Sequence, residues 1–94
     1  MAERAEGPAW RADALVSQGH ALLVADRPAR ARDVLEVAVE LRPDSRSLVL
    51  LAQARRLAGE AAGALRAATD ALERVPGLEE ARREARLATK ALGR

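Results

Sequence analysis

Two prolines set the organisation of this chain, because each one closes a segment of regularly spaced apolar and small residues. Before Pro43, these positions fall three and four residues apart, which is the spacing of the buried stripe of an amphipathic helix. The segment before Pro76 shows the same pattern when the two prolines are laid over each other. The pattern thus repeats with a period equal to the separation of Pro43 and Pro76 in sequence, or with a period one residue longer. Such a repeat favours a fold built from two similar helical units.

The breaks between the stripes predict five helices. They run over about residues 8–24, 28–42, 46–58, 61–75 and 78–92. We expect Asp26 to cap the second helix and Asp44 or Ser45 to cap the third, because short polar side chains accept hydrogen bonds from the free N–H groups of a first helical turn. Gly59 fits the C-terminal turn of the third helix.

The first two helices show the clearest contact. Gly19 and Ala31 are small where the two helices would touch most closely, and the short connection predicts antiparallel packing. The apolar positions expected to face this contact are Trp10, Ala14, Leu15 and Leu22 in the first helix and Val34, Leu35, Ala38 and Leu41 in the second.

Composition supports an all-α fold. The chain has 94 residues, 49% hydrophobic and 32% charged, which excludes disorder and suits a single domain over residues 1–94. Its hydrophobic share is mostly Ala, Leu and Val, with one Trp and no Phe or Tyr. Ala, Leu, Arg and Glu form helices well, whereas a β domain needs β-branched and aromatic residues in alternation.

The repeated segment resembles the tetratricopeptide repeat, in which large and small residues alternate at fixed intervals before a proline. The matching residues are Leu15, Gly19, Leu22, Ala31, Leu35, Ala38 and Pro43, and in the second copy Leu48, Ala52, Ala64, Ala71 and Pro76. Arg55 and Ala68 depart from the family pattern, which has large apolar residues at both places. The stem of Arg55 is expected to lie over the core with its charged head in water.

The resemblance implies antiparallel helix pairs stacked as a short right-handed α-solenoid. Repeat one would cover about residues 12–45, repeat two about residues 45–77, and a capping helix about residues 78–92. An ordinary five-helix bundle is the alternative, and it would share the helices but not the right-handed stacking. Two repeats are fewer than the roughly three that a stable stack usually needs, so we expect self-association or a longer parent chain.

The resemblance also implies a protein-binding scaffold rather than an enzyme. In the family, the first helix of each pair lines a concave groove. The matching positions here are Asp13, Val16, Ser17, His20, Leu23, Val24, Arg46, Val49, Leu50, Gln53, Arg56 and Leu57. The centre of this groove is apolar, so we expect it to bind a peptide or helix of a partner protein, or a second copy of the chain. Packing of these apolar residues against helix five is an equally good interpretation.

Other functions have weaker support. Asp13, Ser17 and His20 share a helix face, but Ser17 lies between the other two, so His20 cannot stand between Ser17 and Asp13 as a hydrolytic triad requires. With one His and no Cys, neither a metal nor a cofactor is expected. No apolar run is long enough to span a bilayer and no secretory signal is visible, which predicts a cytoplasmic protein.

Nucleic-acid or acidic-surface binding is the alternative function. It would use the Arg clusters at Arg55, Arg56, Arg82, Arg83 and Arg86. The formal net charge is only +2, acidic residues are interleaved with the cations of helix five, and almost no aromatic side chains are present to stack on bases. These features argue against a nucleic-acid partner.

Overall fold

The computed structural model of the chain describes residues 8–93, with side chains from residue 10 onward. Five α-helices and no strand lie within these residues. They are α1 (Pro8–Val24), α2 (Pro28–Leu41), α3 (Ser45–Leu57), α4 (Ala61–Arg74) and α5 (Glu79–Gly93). The predicted all-α class and the five helices are confirmed, and each predicted helix bound lies within one residue of the observed bound.

The helices pack in adjacent pairs. Each helix contacts the next one along the chain, and in addition α1 contacts α3 and α3 contacts α5. Within the described residues, α2 does not approach α4, and α1 approaches neither α4 nor α5. Helix α3 therefore lies between α1 and α5, while α2 contacts α1 and α3, and α4 contacts α3 and α5. The molecule measures 54 × 28 × 17 Å.

The secondary structure repeats with one spacing. Helices α2 and α4 both have 14 residues, and their first residues, Pro28 and Ala61, are as far apart in sequence as the two prolines of the repeat. Helices α1 and α3 end at Val24 and Leu57, which have the same separation. Of the two periods that the sequence allows, the structure therefore selects the shorter one, which we call the repeat spacing.

The core is made mostly of small side chains, so the helix backbones must approach closely. Leu35 on α2 is the largest fully buried apolar side chain among the described residues. It lies over Gly19 of α1, where an added Cβ would be 2.5 Å from the Cγ of Leu35. The predicted close contact at Gly19 is present, with Leu35 as its partner.

Helix α1 faces the core with Leu15, Gly19 and Leu22, as predicted, but not with Trp10 and Ala14. Trp10 is 56% exposed and Ala14 is also exposed. The buried positions of α1 are Ala12, Val16 and Gly19. Arg42, the residue that follows α2, pairs with Asp13 of α1, so α2 ends before it reaches Trp10. The first turn of α1 therefore has no part of α2 beside it.

The turn after α1 also differs from the prediction. Asp26 has a φ of 62°, in the left-handed region, and its N–H donates to the carbonyl of Leu23 at 3.0 Å. The N–H of Arg27 donates to the carbonyl of Leu22 at 2.9 Å. These two bonds close the C-terminus of α1. Asp26 therefore does not cap α2, which begins after Arg27 without a side-chain cap. Gly59, with a φ of 88°, has the same role after α3, as predicted.

We expect Asp26→Gly to raise the free energy of unfolding by about 0.5–1 kcal/mol, because glycine adopts the left-handed conformation without a Cβ clash. The matched control is the reverse exchange, Gly59→Asp, which should lower the free energy of unfolding by a similar amount. Urea unfolding measures both variants. A less stable Asp26→Gly protein would show that the Asp26 side chain stabilises the turn more than its backbone strain destabilises it.

The cap of α3 is Asp44, as predicted. Its Oδ1 accepts hydrogen bonds of 2.9 Å from the backbone N–H and from the hydroxyl of Ser47, which is buried. Its Oδ2 accepts a bond of 3.1 Å from the Nε of Arg42. Partial burial acts to raise the pKa of Asp44, but the bonds from Ser47 and the charge of Arg42 outweigh burial and lower the pKa below its ordinary value of 3.8.

The lowered pKa of Asp44 predicts an acid-dependent loss of stability. Because the folded-state pKa lies below the unfolded one, the contribution is complete above the ordinary pKa of 3.8 and is lost as the pH falls through the lower folded-state value. Asp44→Ala should therefore be less stable than the natural protein by about 1 kcal/mol at neutral pH, and the gap should narrow in acid. Asp44→Asn, which keeps a capping oxygen without a titrating group, is the control. A gap that stays constant down to acid pH would contradict the prediction.

Candidate functional site

The twelve residues predicted to line a groove occupy neighbouring helices. Helices α1 and α3 lie side by side, as the predicted groove requires. Val16 of α1 and Leu50 of α3, however, are only 7% and 8% exposed and belong to one buried cluster. Leu23 is partly buried against the same cluster. The exposed members of the predicted set are Asp13, Ser17, His20, Val24, Arg46 and Leu57.

The open depression lies on the other side of α3, against α5. A concave space of about 300 Å³ is lined by Ser45, Arg46, Val49, Leu50, Gln53, Leu78 and Glu80. A smaller space of about 150 Å³ shares three of these residues and is lined by Val49, Gln53, Arg56, Glu80, Arg83 and Glu84. We refer to the two together as the α3–α5 groove. Five of the six residues predicted from α3 line it, and Leu57 does not.

The sequence prediction did not include α5 in the groove: it gave this helix a capping role and named its arginines only for the alternative, nucleic-acid or acidic-surface binding. The repeat spacing was the available signal. Arg83 follows Leu50 by one repeat spacing, so it occupies on α5 the position that a predicted groove residue occupies on α3. The burial pattern agrees with this register, because Ala81 is buried as Leu48 is.

A paired charge forms one end of the α3–α5 groove. The guanidinium of Arg56 donates to both carboxylate oxygens of Glu84, at 2.7 Å from Nε to Oε1 and 3.3 Å from Nη2 to Oε2. The side chain of Glu84 is 8% exposed and that of Arg56 is 23% exposed. A two-point bond of this kind fixes the orientation of both planar groups. The pair therefore holds α5 against α3 in one register.

Arg55 does not join Arg56 in a free basic cluster. Its Nη1 donates to the carbonyl of Gly63 on α4 at 3.1 Å, and its Nη2 donates to Glu36 of α2 at 3.2 Å. Its aliphatic stem crosses α4 at Gly63, where an added Cβ would be 3.0 Å from Cδ of Arg55. The stem lies over the core as predicted, but the expected solvation of the head is wrong, because two protein oxygens bind it.

The outer side of α5 is basic. Arg82, Arg83, Arg86 and Lys90 are all exposed. Within residues 10–93, none of these four cations forms an ion pair. Glu79, four residues before Arg83 on the same helix, is therefore not its partner. Glu79 and Glu80 lie in the first turn of α5, where the helix dipole favours negative charge.

The three polar residues on one face of α1 remain apart from the α3–α5 groove. Asp13, Ser17 and His20 are exposed. The carboxylate of Asp13 accepts a hydrogen bond from Arg42. That bond links α1 to the residue after α2, so it gives Asp13 a structural contact.

The chain was compared with known proteins. No family model, no curated protein and no solved structure matches it. Among residues 8–93, no helix has the length and apolar content needed to cross a membrane.

Proposed function

We propose that the chain is a tetratricopeptide-like scaffold that binds a segment of a partner protein in the α3–α5 groove and performs no catalysis. Three features support the repeat architecture. The helix bounds recur after one repeat spacing, α3 touches both α1 and α5, and Gly19 provides a close contact within the first helix pair. In a right-handed stack of such pairs, the odd-numbered helices together line one face.

The observation that carries the proposal is the apolar floor of the α3–α5 groove. Val49 and Leu78 are partly buried against a core cluster, yet both line the open space of about 300 Å³. Arg46, Gln53 and Glu80 surround them. An apolar centre inside a polar rim is the usual anatomy of a protein–protein interface. The groove thus suits apolar side chains of a peptide or helix.

The proposed site is shifted from the position expected from sequence. Between α1 and α3, the apolar residues Val16 and Leu50 fill the space themselves. Between α3 and α5, the position equivalent to Leu50 carries Arg83, whose exposed side chain does not fill the core. The space between α3 and α5 is therefore open, whereas the space between α1 and α3 is filled by side chains.

We expect Val49→Asp to weaken peptide binding by about ten-fold or more, because a carboxylate replaces apolar contact area at the centre of the groove. Panning a random peptide library against the immobilised protein supplies the ligands, and fluorescence polarisation measures their affinity. The matched control is Val37→Asp, which introduces the same charge at a valine of α2 that is already 45% exposed. The proposal fails when no peptide is enriched, or when Val49→Asp and Val37→Asp bind the enriched peptides equally well.

A second copy of the chain is the other proposed occupant. Val24 and Leu57 hold equivalent places at the ends of α1 and α3 and are 75% and 50% exposed. Apolar side chains this exposed are suited to an interface. Light scattering over a range of concentrations tests this self-association. A dimer that Val49→Asp converts to a monomer would support a second copy in the groove.

A further inference from the structure

The basic residues of α5 lie beside the α3–α5 groove, and one of them, Arg83, lines it. Arg82, Arg86 and Lys90 follow one another at intervals of four, and Arg83 precedes Arg86 by three, so the four cations share one side of the helix. Arg83 lines the groove directly, together with Val49. The groove thus has an apolar floor with Arg83 at its α5 edge, and the other three cations of α5 continue the positive charge outside it.

The repeat spacing shows how α5 differs from α3. Moved back by one repeat spacing, the four cations of α5 correspond in order to Val49, Leu50, Gln53 and Leu57 of α3. Positions that are apolar or neutral on α3 are thus charged on α5. All four side chains are exposed, so packing of the core does not require charged residues at these positions.

The cations of α5 also lack neutralising partners within the described part of the chain. Glu84, which lies among them on α5, is already bound by Arg56. Glu80 lines the groove but forms no ion pair within residues 10–93. Like charges three or four residues apart on a helix repel each other. An anionic ligand would remove this repulsion at the place where the apolar floor is open.

We infer that the occupant of the α3–α5 groove is an acidic amphipathic peptide segment, with apolar side chains on Val49 and Leu78, a carboxylate facing Arg83, and further carboxylates that reach Arg86 just outside the groove. The inference rests on the proposed function and specifies the chemistry of its partner. The apolar floor favours a peptide over a nucleic acid, because the residues that line the groove include no aromatic side chain to stack on bases. A second copy is a poorer fit, because its own α5 would bring like charge.

The test uses the full chain and three labelled probes. The first is an amphipathic peptide of about 16 residues, or four to five helical turns, with Leu three and four residues apart and Glu at most other positions. The second has Gln in place of every Glu, and the third is oligothymidylate of the same length. At about 50 mM salt, we expect the Glu peptide to bind about ten-fold tighter than the Gln peptide, and the difference to shrink at about 200 mM.

Charge-reversal variants locate the preference. The double variant Arg83→Glu with Arg86→Glu should abolish the preference for the Glu peptide. The matched control, Arg66→Glu with Arg74→Glu, makes the same change in net charge at exposed arginines of α4 and should keep the preference. Circular dichroism and urea unfolding confirm that both double variants fold.

The outcomes separate the inference from the proposed function. Equal affinity for the two peptides, or a preference that survives Arg83→Glu with Arg86→Glu, overturns the inference. If Val49→Asp still weakens both peptides in that case, the proposed groove stands. A charge preference that Val49→Asp leaves unchanged would instead overturn the groove as the binding site. Oligothymidylate that binds more tightly than the Glu peptide and displaces it would overturn the inference in favour of a nucleic acid.

Discussion

Leu35→Ala should lower the free energy of unfolding by about 2–5 kcal/mol, because it removes three buried carbons and leaves a cavity. Leu35 is fully buried on α2 and belongs to the larger core cluster. Most other buried members of that cluster are alanines, whose side chains are too short to fill the cavity that the truncated leucine leaves. The expected loss therefore lies toward the upper part of the range. Leu57→Ala, at a leucine that is 50% exposed, is the control and should cost much less.

Gly19→Ala tests the same contact from the other helix. The added methyl group would lie 2.5 Å from Cγ and 2.6 Å from Cδ2 of Leu35, so the side chain or the helix must move. Overpacking of this kind costs about 1–3 kcal/mol. Gly77→Ala is the matched control, because an added Cβ there meets no atom within 4 Å.

The double variant, Gly19→Ala with Leu35→Ala, should be more stable than the sum of the two losses predicts, because the shortened side chain at position 35 leaves the space that the new methyl group needs. Residues in direct contact show coupling energies of about 0.5–3 kcal/mol. Urea unfolding of the four proteins measures this coupling. Strictly additive losses would mean that Gly19 and Leu35 do not share one contact.

Local features of the sequence predicted the helices well. The bounds of α2 and α4 depend on prolines and on the turns beside them, and both signals act within a few residues. The role of Asp26 could not be predicted from the local sequence. Asp suits a helix N-terminus and also tolerates the left-handed conformation that ends a helix, so the residue type alone does not decide between the two roles.

The exposure of Trp10 and the burial of Glu84 depend on residues that are distant in sequence. Trp10 continues the apolar pattern of α1, but α2 ends before it reaches Trp10, so this side chain is 56% exposed. From the sequence of α5 alone, Glu84 would be assigned to the surface, because the residue that neutralises it, Arg56, lies on another helix. For the groove, the α3 side was predictable from the repeat pattern, whereas the α5 side required that pattern to be continued one helix further.

Glu84→Ala should lower the free energy of unfolding by about 2–3 kcal/mol, because it leaves Arg56 without a partner at the α3–α5 contact. Removing one member of a fully buried ion pair costs about 3–5 kcal/mol. We expect somewhat less here because the side chain of Arg56 is 23% exposed and can regain some water. Glu60→Ala is the control. It breaks the more exposed pair between Glu60 and Arg32, which should contribute less than the pair between Arg56 and Glu84 because solvent screens it.

The paired replacement Arg56→Leu with Glu84→Leu distinguishes the loss of a charge partner from the loss of the whole contact. The first repeat already has Leu23 at the place of Arg56, and α3 has Leu51 at the place of Glu84, so leucine suits both positions in this architecture. Replacing a buried pair by apolar residues is often neutral or stabilising by about 1–4 kcal/mol. We therefore expect the double variant to be more stable than Glu84→Ala. If both are equally unstable, the two-point bond itself holds α5 on α3, and the width of the groove depends on it.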